Sequence, residues 1–314
     1  MSVTLHDLCW SLGEEPYTVE QSGDRGRLFS DPHALRAGGF HQHHVAGVET
    51  TALDLAQRAV AGIGDAVNGC DAIVFATALL ESAARSGDER FAETRDVRWL
   101  MDFNGCALQA ALDLDAQVFG LTQQACTGLL GAMRLARCLI EAGDCRRVLC
   151  VTADRFPSGA RYEQAYNLIS DGAAAGVLSR GGSGFRLLGW DHVTDGRRRT
   201  CGDEATLGSY FAGTARSVAA ACARAAMVPR ELDWLVTQNT HTSASRVLAS
   251  ILEIPAHRVA QPTLGEVAHV ISADVLINLG ALVGSGEMKP GDRIALTMAG
   301  YGAHWQSLIL EYSP

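Results

Sequence analysis

Apolar residues recur at two different spacings along this chain. Between Thr50 and Val67 they fall at three- and four-residue steps, the stripe of an amphipathic helix. Asp71-Ala-Ile-Val-Phe-Ala-Thr77 is instead a continuous apolar run with polar ends, which predicts a buried strand. Ala116-Gln-Val-Phe-Gly-Leu121 and Arg147-Val-Leu-Cys-Val-Thr-Ala153 read the same way, and Leu129 to Ile140 between them predicts a helix. Gly172-Ala-Ala-Ala-Gly-Val-Leu178 predicts a strand with little room for side chains. Helix and strand patterns alternate, so the fold class is α/β.

The second half repeats the first. Asp71-Ala-Ile-Val is echoed by Asp233-Trp-Leu-Val, and Gly143-Asp144 by Gly291-Asp292, each pair ahead of an apolar run. The helix beginning near Cys126 is echoed by one that begins near Ala273 and runs through Leu282. Cys126 lies 17 residues before Gly143, and Asp274 lies 17 before Gly291. A duplicated chain is therefore expected, with halves 1–180 and 181–314 joined at Gly181-Gly-Ser-Gly184. The two helix starts would be pseudo-symmetric partners.

Composition narrows the function classes. With 314 residues, 47% of them hydrophobic and 19% charged, the chain can bury a large core. A net charge of -9 argues against general binding to nucleic acid or to membrane surfaces. No apolar stretch approaches the roughly 18 residues of a membrane span, and Met1-Ser-Val-Thr-Leu-His-Asp7 lacks a secretory pattern. A cytoplasmic protein is expected. Its nine scattered cysteines then read as reduced thiols, with no metal-ligand spacing among them. His41, His43 and His44 are expected on a strand, not at a metal.

One cysteine stands in a chemically distinctive context. Cys126 follows the strand-like run ending at Leu121 and precedes the Leu129–Ile140 helix pattern. A helix N-terminus favours the thiolate, and a thiolate at a strand-to-helix turn is a nucleophile for acyl groups. Such a nucleophile needs a base and an oxyanion stabiliser. His269 precedes the echoing helix, and Asp274 in that helix's first turn would orient its imidazole. His241, at the end of the Trp234–Thr237 strand, is the second candidate base or a substrate-orienting residue. The glycines of Gly300-Tyr-Gly-Ala-His-Trp305 let backbone approach a ligand, so the amides of Cys126 and Gly302 are candidates for an oxyanion hole. Arg197-Arg-Arg199 is a solvated loop or a contact for an acidic carrier or a coenzyme phosphate. Leu79, Phe103 and Leu207 are candidates to shape an acyl pocket.

Taken together, these residues resemble the ketoacyl-carrier-protein synthase III group of the thiolase fold. The resemblance is carried by Gly39 to Thr51, Ala125-Cys-Thr-Gly128, Ser170-Asp-Gly-Ala-Ala-Ala-Gly176 and Gly300-Tyr-Gly-Ala303, in that order. It implies a thiolase-like duplicated five-layer αβαβα fold, a homodimer, and an acyl carrier protein or coenzyme A thioester as substrate. No bound cofactor is implied. The departures bear on the reaction. Condensing members carry a histidine and an asparagine that stabilise the enolate formed on decarboxylation. Here Gln238 takes the histidine's place, in Gln238-Asn-Thr-His241, and His269 takes the asparagine's. Gln238 and Asn239, with His241, become candidates to orient substrate. A Cys-His-Asp set of Cys126, His269 and Asp274 suits acyl transfer through an acyl-cysteine to a hydroxyl, amine or thiol. Some members of the family with a similar substitution look like acyltransferases of secondary metabolism, a resemblance that implies polyketide assembly as the setting. A condensing enzyme, a non-catalytic partner subunit of a heteromeric ketosynthase and a thioester hydrolase are the alternatives.

Overall fold

The computed structural model describes residues 2–79, 87–101, 103–164, 167–198 and 203–314. Its central sheet is built from β1 (Val3–Leu12), β2 (Ala72–Ala76), β3 (Gln117–Leu121), β4 (Arg147–Asp154), β5 (Gly172–Arg180), β6 (Gly184–Thr194), β7 (Trp234–Thr237), β8 (Val259–Ala260), β9 (Arg293–Gly300) and β10 (His304–Ser313). The principal helices are α1 (Ala52–Ala61), α2 (Asn104–Ala111), α3 (Gly128–Ala142), α4 (Asp203–Arg224), α5 (Thr242–Ile251) and α6 (Asp274–Gly284).

Across the sheet the order is β8-β7-β9-β10-β6-β1-β5-β4-β2-β3. One half reads β3-β2-β4-β5-β1; adding five to each number gives the other half. Pairing repeats as well. β2 runs parallel to β3 and β4, as β7 does to β8 and β9, while β5 and β10 are antiparallel to their neighbours. The halves meet where β1 pairs antiparallel with β6, at Thr4–Arg186 and Leu5–Phe185. The duplication expected from the sequence is thus a repeat of strand order.

Side-chain alternation along the strands creates the layers. In β2, Ala72, Val74 and Ala76 face one way, into a core with Leu129, Met133 and Ile140 of α3. Ile73 and Phe75 face the other way, onto Leu55, Ala59 and Val60 of α1 and Leu108 of α2. In the second half Val236 and Leu296 join the central core, whereas Leu235 and Ala295 pack against Val218 and Ala221 of α4 and Leu248 of α5. Helices α3 and α6 are therefore sandwiched between the two half-sheets, with α1 and α2 outside one and α4 and α5 outside the other: five layers, α-β-α-β-α.

Local signals set the helix ends. Thr51 and Asp54 cap α1 reciprocally, each side chain accepting the other's backbone N–H. Helix α3 stops at Gly143, whose φ of 85° needs glycine and whose N–H returns to the carbonyls of Leu139 and Ile140. Among the described residues no helix is long and apolar enough to cross a membrane.

Candidate active site

Cys126 lies in a 3₁₀ turn, Ala125–Thr127, between β3 and α3. The preceding residue, Ala125, has φ 44°, a left-handed conformation that costs a non-glycine residue about 1–3 kcal/mol. This step reverses the chain sharply and leaves the thiol at the helix start, 5% exposed.

The pseudo-symmetric turn carries the candidate base. His269 is 2% exposed and Asp274, the first residue of α6, is fully buried. His269 Nδ1 lies 2.5 Å from Asp274 Oδ2. The carboxylate also accepts the backbone N–H groups of Asn239 and Val270, both at 2.6 Å. Three donors thus surround an anion that has no access to water. His269 is anchored to the other half, its N–H donating to Leu168 O at 2.9 Å and its carbonyl accepting from Ser170 N at 2.8 Å. Burial alone would disfavour the imidazolium. The carboxylate of Asp274 and the charge and hydrogen bond of Cys126 outweigh it, so the pKa of His269 is raised above the ordinary histidine value. Five residues do not share a helix face, but Ala268 at φ 60°, just before His269, and Ile271 at φ 48°, between the pair, take the chain out of helical geometry.

Gly300, the last residue of β9, abuts the nucleophile's turn. A Cβ there would sit 2.9 Å from Gln124 O and 3.0 Å from Cys126 N. Gly302, expected from the sequence beside the oxyanion, lies two residues on, in the β9–β10 turn against the His304 ring. Gly300→Ala is expected to push the Cys126 turn out of place and slow acylation about a hundred-fold in a mass-spectrometric time course. A wild-type rate would show that this contact does not set the turn.

The remaining candidates sit as follows. Gln238 is buried, and its Oε1 accepts from Ala299 N at 2.7 Å, which fastens it to the end of β9. Asn239 is committed to partners within the protein. It is fully buried, and its amide donates to Ala268 O at 2.6 Å and to Thr263 Oγ1 at 3.1 Å. Its Oδ1 accepts from Asn278 Nδ2 at 2.9 Å, so both polar atoms of the side chain are engaged within the protein, one of them at Ala268 beside His269. Sequence reading missed Asn278; a polar residue inside the apolar α6 pattern was its signal. His241 caps α5, with Nδ1 accepting from Ser243 N at 3.1 Å and its ring against Gly38.

His43 is buried, and burial pushes its pKa down to about 4. Its Nδ1 donates to Ile169 O and its Nε2 accepts from Ser22 Oγ, each at 2.6 Å. His41 and His44 turn to other partners, Arg36 and Gly13. Among the described residues no group of three or more His, Cys, Asp or Glu side chains is placed to hold a metal. Arg197 and Arg198 both pair with Asp195, while Arg199 lies outside the described residues. Phe103 is 58% exposed, Leu79 is half-buried, and the side chain of Leu207 lies outside the described residues.

Sequence and structural comparisons identify the family and the fold. Residues 122–196 match the family 3-oxoacyl-[acyl-carrier-protein] synthase III, and residues 222–312 match its C-terminal domain, together just over half of the chain. The β-ketoacyl-[acyl-carrier-protein] synthase III of Bordetella petrii is 27% identical over 305 residues, covering 89% of this chain and 88% of that protein. The fold superposes on the 3-oxoacyl-(acyl carrier protein) synthase III of Pseudomonas aeruginosa with a TM-score of 0.85 at 23% identity, covering 100% and 99% of the two chains. It also superposes on the acyltransferase ChlB3 with a TM-score of 0.82 at 18% identity, covering 100% and 98%. This chain belongs to the ketoacyl-carrier-protein synthase III-like family of the thiolase fold.

Proposed function

We propose that this protein is an acyltransferase that moves an acyl group from a coenzyme A or acyl-carrier-protein thioester, through an acyl-Cys126, to a hydroxyl, amine or thiol acceptor. The observation that carries the reading is the buried His269–Asp274 pair beside Cys126, with Gln238 in place of a second histidine and fastened by the Ala299 N–H.

The steps follow from the charges. Cys126 Sγ, as a thiolate, attacks the thioester carbonyl. The C–S bond to the donor breaks, and the departing thiolate takes the proton of the His269 imidazolium. The acyl-cysteine is neutral, so two of the causes that raise the His269 pKa, the charge and hydrogen bond of Cys126, are gone. His269 is then a neutral base held in orientation by Asp274. It removes the acceptor's proton as the acceptor attacks the acyl carbon, and Cys126 leaves as a thiolate, restoring the pair.

Condensation is the second reading, favoured by the synthase names of the curated relatives. Intact-protein mass spectrometry with a thioester panel, followed by an acceptor chase with carbon dioxide monitored, separates the two. Release of carbon dioxide from a malonyl thioester that depends on Cys126 would establish condensation. His269→Ala is expected to retain partial self-acylation and to slow transfer by roughly 10²–10⁴-fold. Transfer at the wild-type rate would remove His269 as the base and make His241 the residue to test. A setting in secondary metabolism follows from the same family resemblance and is tested by which acceptors discharge the adduct.

A further inference from the structure

Two buried side chains from the second half grip the turn that carries Cys126. Ser272, fully buried between His269 and Asp274, donates its Oγ–H to Ala125 O at 2.9 Å. Gln306 of β10 is 2% exposed. Its Nε2 is shared among Gln124 Oε1 at 2.8 Å, Thr127 Oγ1 at 3.0 Å and Thr127 O at 3.1 Å. The residues on either side of the nucleophile are therefore held from across the fold.

We infer that Ser272 and Gln306 are positioning residues that aim the Cys126 amide at the oxyanion of the acylation step. Ala125 O and Cys126 N–H belong to one planar trans peptide, in which the two dipoles point in opposite directions. Fixing the carbonyl with a hydroxyl fixes the direction of the N–H. Ala125 is in a left-handed conformation that the chain would relax from without such restraint. Gln306 holds the following residue and prevents the turn from pivoting about Cys126. Ser272 also lies in the turn that carries the base, so one hydrogen bond ties the amide's direction to the position of His269. A preorganised donor of this kind matters where negative charge develops on oxygen, and not in reactions where none does.

The inference rests on Cys126 being the acylated group, and two artificial probes test it independently of the natural donor. Para-nitrophenyl acetate acylates a thiol through an oxyanion; iodoacetamide alkylates it by displacement, without one. Ser272→Ala is expected to lower the maximal acylation rate roughly ten- to a hundred-fold, with the half-saturating concentration unchanged. Alkylation of Cys126 is expected to stay within about three-fold, because it needs no oxyanion donor. Gln306→Met, similar in length, is expected to give the same split and carries the test if Ser272→Ala does not fold. Equal losses with both probes, or no loss with either in a folded variant, would overturn the inference. If wild-type protein reacts with both probes but accepts no thioester, the acyltransferase reading fails while the positioning result stands.

Discussion

Cys126→Ala is expected to abolish acyl-adduct formation with every thioester, a loss on the order of 10⁶-fold, the scale seen when a covalent nucleophile is deleted. No other described cysteine is placed to substitute. Burial pushes Cys70 up to about 11 and Cys222 up to about 12, and raises Cys145 and Cys150 as well. Thiols held protonated in apolar surroundings are inert. Cys9 is half-buried with its thiol on Trp10 O, and neither of the exposed cysteines, Cys106 and Cys138, has a buried His–Asp pair beside it. Slow labelling of these two supplies an internal control, present equally in wild type and variant. The change removes one sulfur from a site that is already 5% exposed, so the melting temperature is expected to move by only a few degrees. Peptide mapping after exposure to thioester checks the result. An adduct on Cys106 or Cys138 that forms at the wild-type rate in the variant would sink the assignment of the nucleophile.

Asp274 is expected to produce the second largest effect, on stability and on rate together. Its carboxylate receives Asn239 N, Val270 N and His269 Nδ1 in a fully buried site. Asp274→Ala leaves all of these donors without a partner, and a loss of about 3–5 kcal/mol is expected in denaturant titration. Asp274→Asn preserves the shape but not the charge, and transfer is expected to fall on the order of 10⁴-fold. The pH dependence has a definite sign. The carboxylate stabilises the imidazolium, so the folded-state pKa of His269 lies above its ordinary value of 6.5. The stability that this pairing contributes is fully present below that ordinary value and is lost as pH rises through the raised one. Asp274→Asn should flatten the stability profile in that window and move the rising limb of the transfer rate to lower pH. A limb that stays in place would show that Asp274 does not govern the imidazole.

The parts of this molecule that can be read from the sequence are those whose physics is local. The apolar run at 71–77 became β2 because a continuous hydrophobic stretch can be buried on both faces. The helix pattern from Thr50 to Val67 is shorter in the structure, ending at Ala61, because Gly62 caps it and glycine at 62 and 64 disfavours a helix interior; a separate turn follows over Gly64–Val67. Cys126, His269 and Asp274 stood out as candidates because their side chains carry chemistry wherever they lie. The roles of Asn239, Ser272 and Gln306 were not legible in this way. A serine or an amide acquires its role from its partner, and these partners lie 29, 147 and 179 residues away. The choice between Gly300 and Gly302 depended on register. The β9–β10 hairpin pairs Gly300 with His304, which places Gly302 at the tip and Gly300 at the strand end facing the cysteine.

Cys126 and His269 lie ahead of equivalent helices in separate halves, 143 residues apart in sequence. A chain made from its N-terminus therefore completes the cysteine-bearing half while the histidine and its carboxylate are still unmade. During that interval the nascent protein carries Cys126 without His269, Asp274, Ser272 or Gln306. The last strands to emerge, β9 and β10, bring Gly300 and Gln306 against the turn. Under the proposed function, the full set of groups around Cys126 is therefore assembled only as a late step of folding.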